Sequence, residues 1–157
     1  MQKITPFLWF NTEAEQAVEL YTSTFKNSKV NIVTRYGKNQ PGPEGSVMTI
    51  SFELDGQKFL ALNGGPNFTF TEAISFVVDC ESQEEIDHFW NKLSDGGQIQ
   101  MCGWLKDKYG LSWQIVPKNF GELVTSKDPE RTQRVMKTMM GMKKLEMAEL
   151  QKAYDGE

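Results

Sequence analysis

Residues 47–63 read VMTISFELDGQKFLALN, and this stretch decides the fold class of the chain. From Val47 to Leu54 apolar and polar side chains alternate, which is the pattern of a half-buried β-strand. The pair Asp55-Gly56 favours a two-residue hairpin turn, so Lys58–Leu62 is predicted as the returning strand. A hairpin at this place indicates a sheet against which the flanking elements must pack.

The elements before the hairpin have the signals of a strand, a helix and a second strand. Ile4–Phe10 is an apolar run with Pro6 inside it, which predicts a strand near a sheet edge. Asn11 or Thr12 is predicted to cap a helix. The apolar stripe of that helix consists of Ala14, Ala17, Val18, Tyr21 and Phe25. Val30–Tyr36 is the next predicted strand, and the prolines and glycines of residues 37–45 predict a turn.

The second half of the chain repeats this order of elements. The strand predicted at Ala73–Val78 precedes a helix that begins at Ser82, with Glu85 completing a capping box. Three further strands are predicted at Gln98–Met101, Trp104–Lys106 and Leu111–Val116. Two strand-helix-strand-strand-strand halves predict an α+β fold in which two βαβββ modules form a curled mixed sheet around a cleft, followed by C-terminal helices.

The domain boundaries follow from this repeat. Residues 1–117 are predicted as one domain with modules 1–66 and 70–117, and residues 118–157 as a helical extension. Within the extension Asp128 is a predicted cap and Pro129 fits a first helical turn. The following Met-rich helices are adaptable packing material, so they are expected to pack on the domain or on a partner subunit.

Charge and composition exclude several classes of function. The chain has 157 residues, 39% hydrophobic residues and a net charge of −4. No basic stripe interleaved with aromatic residues is present, so nucleic-acid binding is not expected. No signal peptide or membrane-spanning stretch is predicted, and Cys80 and Cys102 are expected to be reduced thiols, so the cytoplasm is the expected location and no membrane partner is predicted.

Several motifs resemble one family over nearly the whole chain. They are the stretches 4–10 (ITPFLWF), 63–66 (NGGP), 102–107 (CGWLKD), 110–115 (GLSWQI) and the tail around 140–144 (MGMKK). These motifs are similar to the PhnB-like branch of the vicinal-oxygen-chelate superfamily, which also contains glyoxalases, bleomycin-resistance proteins and dioxygenases. The branch often carries the label 3-demethylubiquinone-9 3-methyltransferase-like. The resemblance, together with the apolar tail helices, implies a homodimer.

The resemblance also implies where a metal would bind. In the superfamily four inward-facing side chains, typically His and Glu, hold a divalent metal that polarises substrate oxygens. These positions fall here on Pro6, Ala61, Ala73 and Gln114, which have no donor atom or only a weak amide oxygen. Thr49 stands where relatives of this branch can carry His. The single histidine, His88, is predicted on the surface of the second helix, so neither metal nor cofactor is expected.

Strand alternation gives a predicted set of cleft residues, with Cys102 and Trp104 beside them. The set contains Pro6, Leu8, Phe10, Thr49, Ser51, Ala61, Asn63, Ala73, Ser75, Ser112 and Gln114. This lining is small, apolar and neutral, which suits an uncharged or aromatic molecule. The alternative is that these residues only fill the core. No histidine is expected near Cys102 to act as a base, so a structural thiol is favoured over a nucleophile.

The sequence therefore predicts a metal-free glyoxalase-fold protein that binds a small apolar or aromatic molecule in its cleft. The catalytic residues, if any, are not identified. Two alternatives stay open: an enzyme of the glyoxalase/dioxygenase or methyltransferase type, and a structural homodimer with the Met-rich tail at its interface. Against the methyltransferase, the first strand–helix junction, Phe10–Glu13, lacks the glycine-rich turn that S-adenosylmethionine enzymes usually have.

Overall fold

The computed structural model describes residues 1–157 and separates them into two compact units, Met1–Phe70 and Thr71–Glu157. Each unit contains a four-stranded mixed sheet and follows the order strand, helix and three strands. This confirms the predicted α+β class with two βαβββ modules and C-terminal helices. None of the helices has the length and apolar character needed to cross a membrane.

The first unit is built around the predicted hairpin. Its elements are β1 (Phe7–Phe10), α1 (Ala14–Thr24), β2 (Lys29–Arg35), β3 (Val47–Leu54) and β4 (Gln57–Asn63). Sheet 1 has the order β1-β4-β3-β2, with β1 parallel to β4 and the other pairs antiparallel. Asp55 and Gly56 both have positive φ, as a type I′ turn requires. Strand β1 is shorter than predicted and begins after Pro6.

The start of α1 differs from the prediction. Glu13 occupies the cap position without a side-chain cap bond, so the predicted capping by Asn11 or Thr12 is wrong. The free amide at the helix start is satisfied from the end of β4 instead, where Asn63 Oδ1 accepts a hydrogen bond from Ala14 N at 2.8 Å. Asn63, which is distant in sequence, therefore caps the helix in place of a residue next to it.

The second unit repeats the arrangement and adds three helices. Its elements are β5 (Ser75–Cys80), α2 (Gln83–Ser94), β6 (Gln98–Ile99), β7 (Trp104–Lys106), β8 (Ser112–Pro117), α3 (Phe120–Val124), α4 (Pro129–Met140) and α5 (Met147–Asp155). Sheet 2 has the order β5-β8-β7-β6, with β5 parallel to β8. The strand predicted from Ala73 begins only at Ser75, and helix α3 is not in the sequence prediction.

Two predicted helix starts are confirmed by their hydrogen bonds. Ser82 Oγ accepts from Glu85 N at 3.2 Å at the start of α2. Asp128 Oδ1 accepts from Glu130 N at 3.0 Å at the start of α4, where Pro129 occupies the first turn. Short side-chain oxygens at both positions satisfy amides that have no partner within the helix, so local sequence is sufficient to define these two boundaries.

The helices after Pro117 pack within the second unit. Their buried residues form one cluster with the end of β8, consisting of Val116, Leu123, Val135, Met139, Leu145 and Leu150. The backbone joins them too, because Cys102 N donates to Met142 O and Gly103 N to Lys143 O, both at 2.8 Å. Gln83 on α2 bonds to Leu145 O at 3.1 Å and to Met147 N at 2.8 Å. The segment between α4 and α5 is therefore held on two sides.

Adding a single methyl group to Gly97, just before β6, is expected to destabilise the fold strongly. A Cβ there would lie 2.1 Å from Lys106 O and 2.8 Å from the carbonyl carbon of Asp107, both backbone atoms. We expect Gly97→Ala to lower the free energy of unfolding by about 3 kcal/mol. Gly121→Ala in α3 is the control, since it meets no atom within 4 Å and should stabilise by about 0.5 kcal/mol. Urea unfolding of both variants tests this, and equal stabilities would contradict it.

Candidate functional site

The face of sheet 1 that packs on α1 holds several of the predicted cleft residues. Leu8, Ala61 and Ile50 lie opposite one another across β1, β4 and β3, and all three are buried. Phe10 lies on the same side and stacks edge-on against Phe70 at 5.3 Å. Leu8, Phe10 and Ala61 therefore belong to the core beneath α1, and their prediction as cleft residues alongside Thr49 and Ser51 is wrong.

Asn63 also lies on the α1 side, at the rim of a small cavity. Its Nδ2 donates to Glu15 Oε1 at 2.6 Å and to Val47 O at 3.1 Å, and its carbonyl accepts from the Tyr36 hydroxyl at 2.5 Å. The cavity has a volume of about 220 Å³ and includes Thr12 and Ser46 in its lining. The polar atoms of Asn63 are thus engaged in holding α1 and the adjacent loops.

The opposite side of sheet 1, which we call its far face, is apolar and aromatic around Thr49 and Ser51, and Glu53 and Lys58 lie at one end of it. Thr49 lies opposite Leu62, and Leu62 lies opposite Trp9. One step along, Ser51 lies opposite Leu60, which lies opposite Phe7. The structure therefore keeps Thr49 and Ser51 together and gives them neighbours that the sequence prediction omits, namely Phe7, Trp9, Leu60 and Leu62.

The rim of this far face is held by aromatic contacts and by glycines. Trp9 Nε1 donates to Gly65 O at 2.9 Å, and its ring meets Phe68 edge-on at 4.9 Å. A Cβ on Gly64 would lie 2.4 Å from the Trp9 ring, so only glycine allows this approach. Thr34 and Thr49 share a hydrogen bond of 2.5 Å between their hydroxyls. The face is thus ordered and carries neutral polar groups.

Sheet 2 has the same two-sided organisation. Trp113, Ile115 and Leu105 are buried and alternate with residues on the side turned away from α2, which we call the far face of sheet 2. Two rows of register partners cross this far face: Ser75, Ser112 and Lys106 in one, and Val77, Gln114 and Trp104 in the other. Gln114 Nε2 donates to Ser75 Oγ at 2.9 Å. The predicted residues Ser75, Trp104, Ser112 and Gln114 are therefore brought together.

Three other predicted residues lie outside both far faces. Ala73 is exposed in the turn before β5, and Pro6 precedes β1 and contributes its carbonyl to Leu60 N at 2.9 Å. Cys102 occupies a turn with φ of 61°, and its side chain packs against the cluster formed by the C-terminal helices. Strand alternation does not apply to residues in turns, so the structure does not bring these three together with the residues of the far faces.

The far face of sheet 2 contains one ion pair, between Lys106 and Glu72. Lys106 Nζ lies 2.5 Å from Glu72 Oε1. The hydrogen bond from the Lys106 ammonium, the largest contribution, holds the pKa of the Glu72 carboxyl below its ordinary value. Because the two charges compensate each other, this face presents no free cation to an anionic ligand.

The residues present do not fit the divalent metal of the superfamily. On β8 the far-face positions hold Ser112 and Gln114, and on β4 they hold Leu60 and Leu62, since Ala61 faces α1. A single neutral amide oxygen is a weak ligand, and leucine is none. No group of three or more His, Cys, Asp or Glu side chains lies in a metal-binding arrangement. His88 is exposed on α2, with its ring against Phe89.

The two cysteines differ in their surroundings, which gives a chemical prediction. Burial, with Glu85 and Asp79 nearby, raises the pKa of the Cys80 thiol to about 12 from 9.0. The buried, protonated thiol therefore contributes fully to folding stability below its ordinary pKa, and this contribution is lost as the pH rises through the raised pKa. At pH 8 we expect iodoacetamide to alkylate the partly exposed Cys102 while Cys80 stays unmodified until urea unfolds the protein. Peptide mass spectrometry measures both sites, and equal labelling rates would contradict the structure.

Comparison with known proteins gives one family. The family model described as 3-demethylubiquinone-9 3-methyltransferase matches residues 2–116. The PhnB protein of Bacillus cereus is 44% identical, with a TM-score of 0.69, and the match covers 74% of this chain and 99% of that chain. The family match thus ends within β8, before the C-terminal helices.

More distant structures share the fold. Protein PA1353 from Pseudomonas aeruginosa is 19% identical with a TM-score of 0.63, and the match covers 75% of this chain and 98% of that one. The fosfomycin resistance protein of Listeria monocytogenes is 12% identical with a TM-score of 0.52, covering 78% and 97%. These two likenesses concern the fold alone. No curated protein matches the chain.

Proposed function

Because the chain belongs to the 3-demethylubiquinone-9 3-methyltransferase family and has the glyoxalase fold of its PhnB-like branch, we propose that it binds a small, uncharged, apolar or aromatic molecule on the far faces of its sheets. The observation that carries the proposal is the far face of sheet 1. There Phe7 is 53% exposed beside half-buried Trp9, Leu60 and Leu62, with only neutral hydroxyls among them. A ligand that covers exposed aromatic surface removes it from water, and this lowers the free energy of the complex.

Charge supports an uncharged ligand over a phosphate or carboxylate. On sheet 1 the charged residues of the far face lie at one end, where Glu53 is opposite Lys29 and Lys58 and its carboxylate is 3.9 Å from Lys29 Nζ. On sheet 2 Lys106 is engaged by Glu72. An anion would have to displace a carboxylate to reach the ammonium of Lys29 or Lys106, whereas an apolar ring needs only contact area. No step of a methyl transfer or metal-assisted reaction is part of the proposal.

The experiment uses N-phenyl-1-naphthylamine, an uncharged aromatic probe whose fluorescence rises in apolar sites. We expect saturable binding that weakens about tenfold in Leu62→Gln, because the lost apolar contact corresponds to roughly 1.4 kcal/mol. Met140→Gln, which alters an exposed apolar residue on α4, is the matched control and should bind as the native chain does. Equal binding by the two variants, or tighter binding of the sulfonated analogue 8-anilinonaphthalene-1-sulfonate, would refute the proposal.

We further propose that two copies associate through β2, the edge strand of sheet 1. Its Val30, Ile32 and Val33 are all exposed, Ile32 to 62%. An exposed apolar edge strand is a ready template for pairing with another chain. Light scattering should give twice 17.9 kDa for the native protein and for Met140→Lys, and a monomer for Ile32→Lys. The opposite pattern would move the interface to the Met-rich tail.

A cytoplasmic location is part of the same proposal. Cys80 and Cys102 are both free in the structure, as expected of a protein in a reducing compartment. Fractionation of cells with an antibody against the chain tests this location, and recovery of the protein outside the cytoplasm would exclude it.

A further inference from the structure

The hydroxyl of Ser112 is the one buried side-chain polar atom in the structure without a hydrogen-bond partner. The residue is fully buried at the start of β8, between β5 and β7, on the far face of sheet 2. Folded proteins pair nearly all such groups, because an unpaired buried hydroxyl loses its hydration and gains nothing in return. A group left in this state within a ligand-binding face points to a partner supplied by the ligand.

The neighbours of Ser112 define what that partner must be. Ser75 and Lys106 are its register partners on the two sides, and both are only half-buried. Ser75 Oγ already accepts a hydrogen bond from Gln114 Nε2, so the proton of the Ser75 hydroxyl is directed elsewhere. Two hydroxyl donors therefore lie side by side, which suits an oxygen acceptor such as a carbonyl.

The ion pair beside Ser112 favours a neutral acceptor over a charged one. Lys106 Nζ is held by Glu72 Oε1 at 2.5 Å, and a carboxylate ligand would compete with Glu72 for it. A neutral carbonyl oxygen can accept from Ser112 while that ion pair stays intact. Beside Ser112, the row of Val77, Gln114 and Trp104 provides apolar and aromatic contact for the body of the molecule.

We propose that Ser112 is the polar anchor of a binding site on the far face of sheet 2, and that the site takes an uncharged carbonyl compound with an apolar or aromatic body. The carbonyl oxygen accepts a hydrogen bond from Ser112 Oγ, and the ring lies against Trp104. Because Ser112 is fully buried, the ligand reaches the hydroxyl only after a neighbouring side chain has moved. This inference rests on the proposed binding of small uncharged molecules.

The test compares acetophenone with α-methylstyrene, which has a methylene group in place of the carbonyl oxygen and the same shape, and with benzoate. Binding is measured from ¹H–¹⁵N chemical-shift titrations of the full chain. We expect acetophenone to bind about tenfold more tightly than α-methylstyrene, the value of roughly one hydrogen bond, and benzoate to bind more weakly than acetophenone.

Three variants isolate the hydroxyl. Ser112→Ala should bind acetophenone and α-methylstyrene equally and should raise Tm, because it removes an unpaired buried polar atom. Ser112→Thr keeps a hydroxyl and should retain the preference for the carbonyl. Ser23→Ala removes an exposed hydroxyl on α1 and should change neither quantity. A purely structural role for Ser112 would instead lower Tm in Ser112→Ala.

The outcomes separate this inference from the proposal beneath it. If both aromatic probes bind the native chain equally, or Ser112→Ala keeps the preference, the anchor is overturned while aromatic binding stands. If benzoate binds most tightly, the uncharged ligand class is overturned. If neither uncharged probe binds while N-phenyl-1-naphthylamine also fails, the proposed function itself is refuted.

Discussion

Replacing Asp107 by alanine is expected to lower the free energy of unfolding by about 4 kcal/mol, one of the two largest effects we expect from a single side chain. The carboxylate is only 2% exposed and lies in the turn between β7 and β8. Its Oδ1 accepts from Tyr109 N at 2.9 Å and from Leu111 N at 3.2 Å, and its Oδ2 accepts from Trp113 Nε1 at 2.9 Å. Alanine removes the acceptor of all three donors at once.

Asp107→Asn distinguishes the loss of acceptors from the loss of side-chain volume. The asparagine oxygen can still accept from the backbone amides, but its NH₂ group then faces the Trp113 indole N–H, so two donors meet. We expect an intermediate loss of about 2 kcal/mol. Urea unfolding followed by tryptophan fluorescence measures both variants, with exposed Asp95→Ala as the control. Asp107→Ala within about 1 kcal/mol of the native chain would contradict the hydrogen-bond assignment.

Leu145→Ala is expected to lower the free energy of unfolding by about 3 kcal/mol. Leu145 is fully buried in the cluster with Val116 and Leu150, and its Cδ1 would lie 3.1 Å from a Cβ placed on Gly103. Truncation leaves a cavity where the tail meets β8. Met140→Ala removes a side chain that is 65% exposed and should cost no more than about 0.5 kcal/mol.

The same measurement decides whether the tail packs within its own chain. The destabilisation by Leu145→Ala should be equal at high and low protein concentration, because the cluster contains residues of a single chain. If the difference between variant and native chain disappears on dilution, the tail stabilises an assembly rather than the second unit.

One part of the candidate site could have been predicted more accurately from the sequence itself. The two-residue turn Asp55-Gly56 pairs Leu54 with Gln57, and counting outward along both strands pairs Ile50 with Ala61 and Thr49 with Leu62. Ala61 therefore had to share the buried side of Ile50, and Leu62 the side of Thr49. Alternation within single strands identified the strands, whereas the register across the turn was needed to identify the faces.

Other features depend on contacts that local sequence does not encode. The bond from Ala14 N to Asn63 Oδ1 joins residues that meet only when β4 lies beside α1. Cys102 and Gly103 form a left-handed turn, and their amides donate hydrogen bonds to the carbonyls of Met142 and Lys143. By contrast, Ser82 and Asp128 act on their own helices, so their capping follows from sequence alone. A hydrogen bond could be predicted from the sequence where donor and acceptor are close in the chain, and could not where they are far apart.

The late position of Leu145 and Leu150 has a consequence for biosynthesis. Val116 emerges from the ribosome well before the residues that cover it, and at about 5–20 residues per second the interval is a few seconds. During that time the end of β8 exposes apolar surface to which chaperones and other nascent chains can bind. Messages truncated before α4 would yield polypeptides that keep this surface exposed permanently, and cellular proteases are expected to remove them.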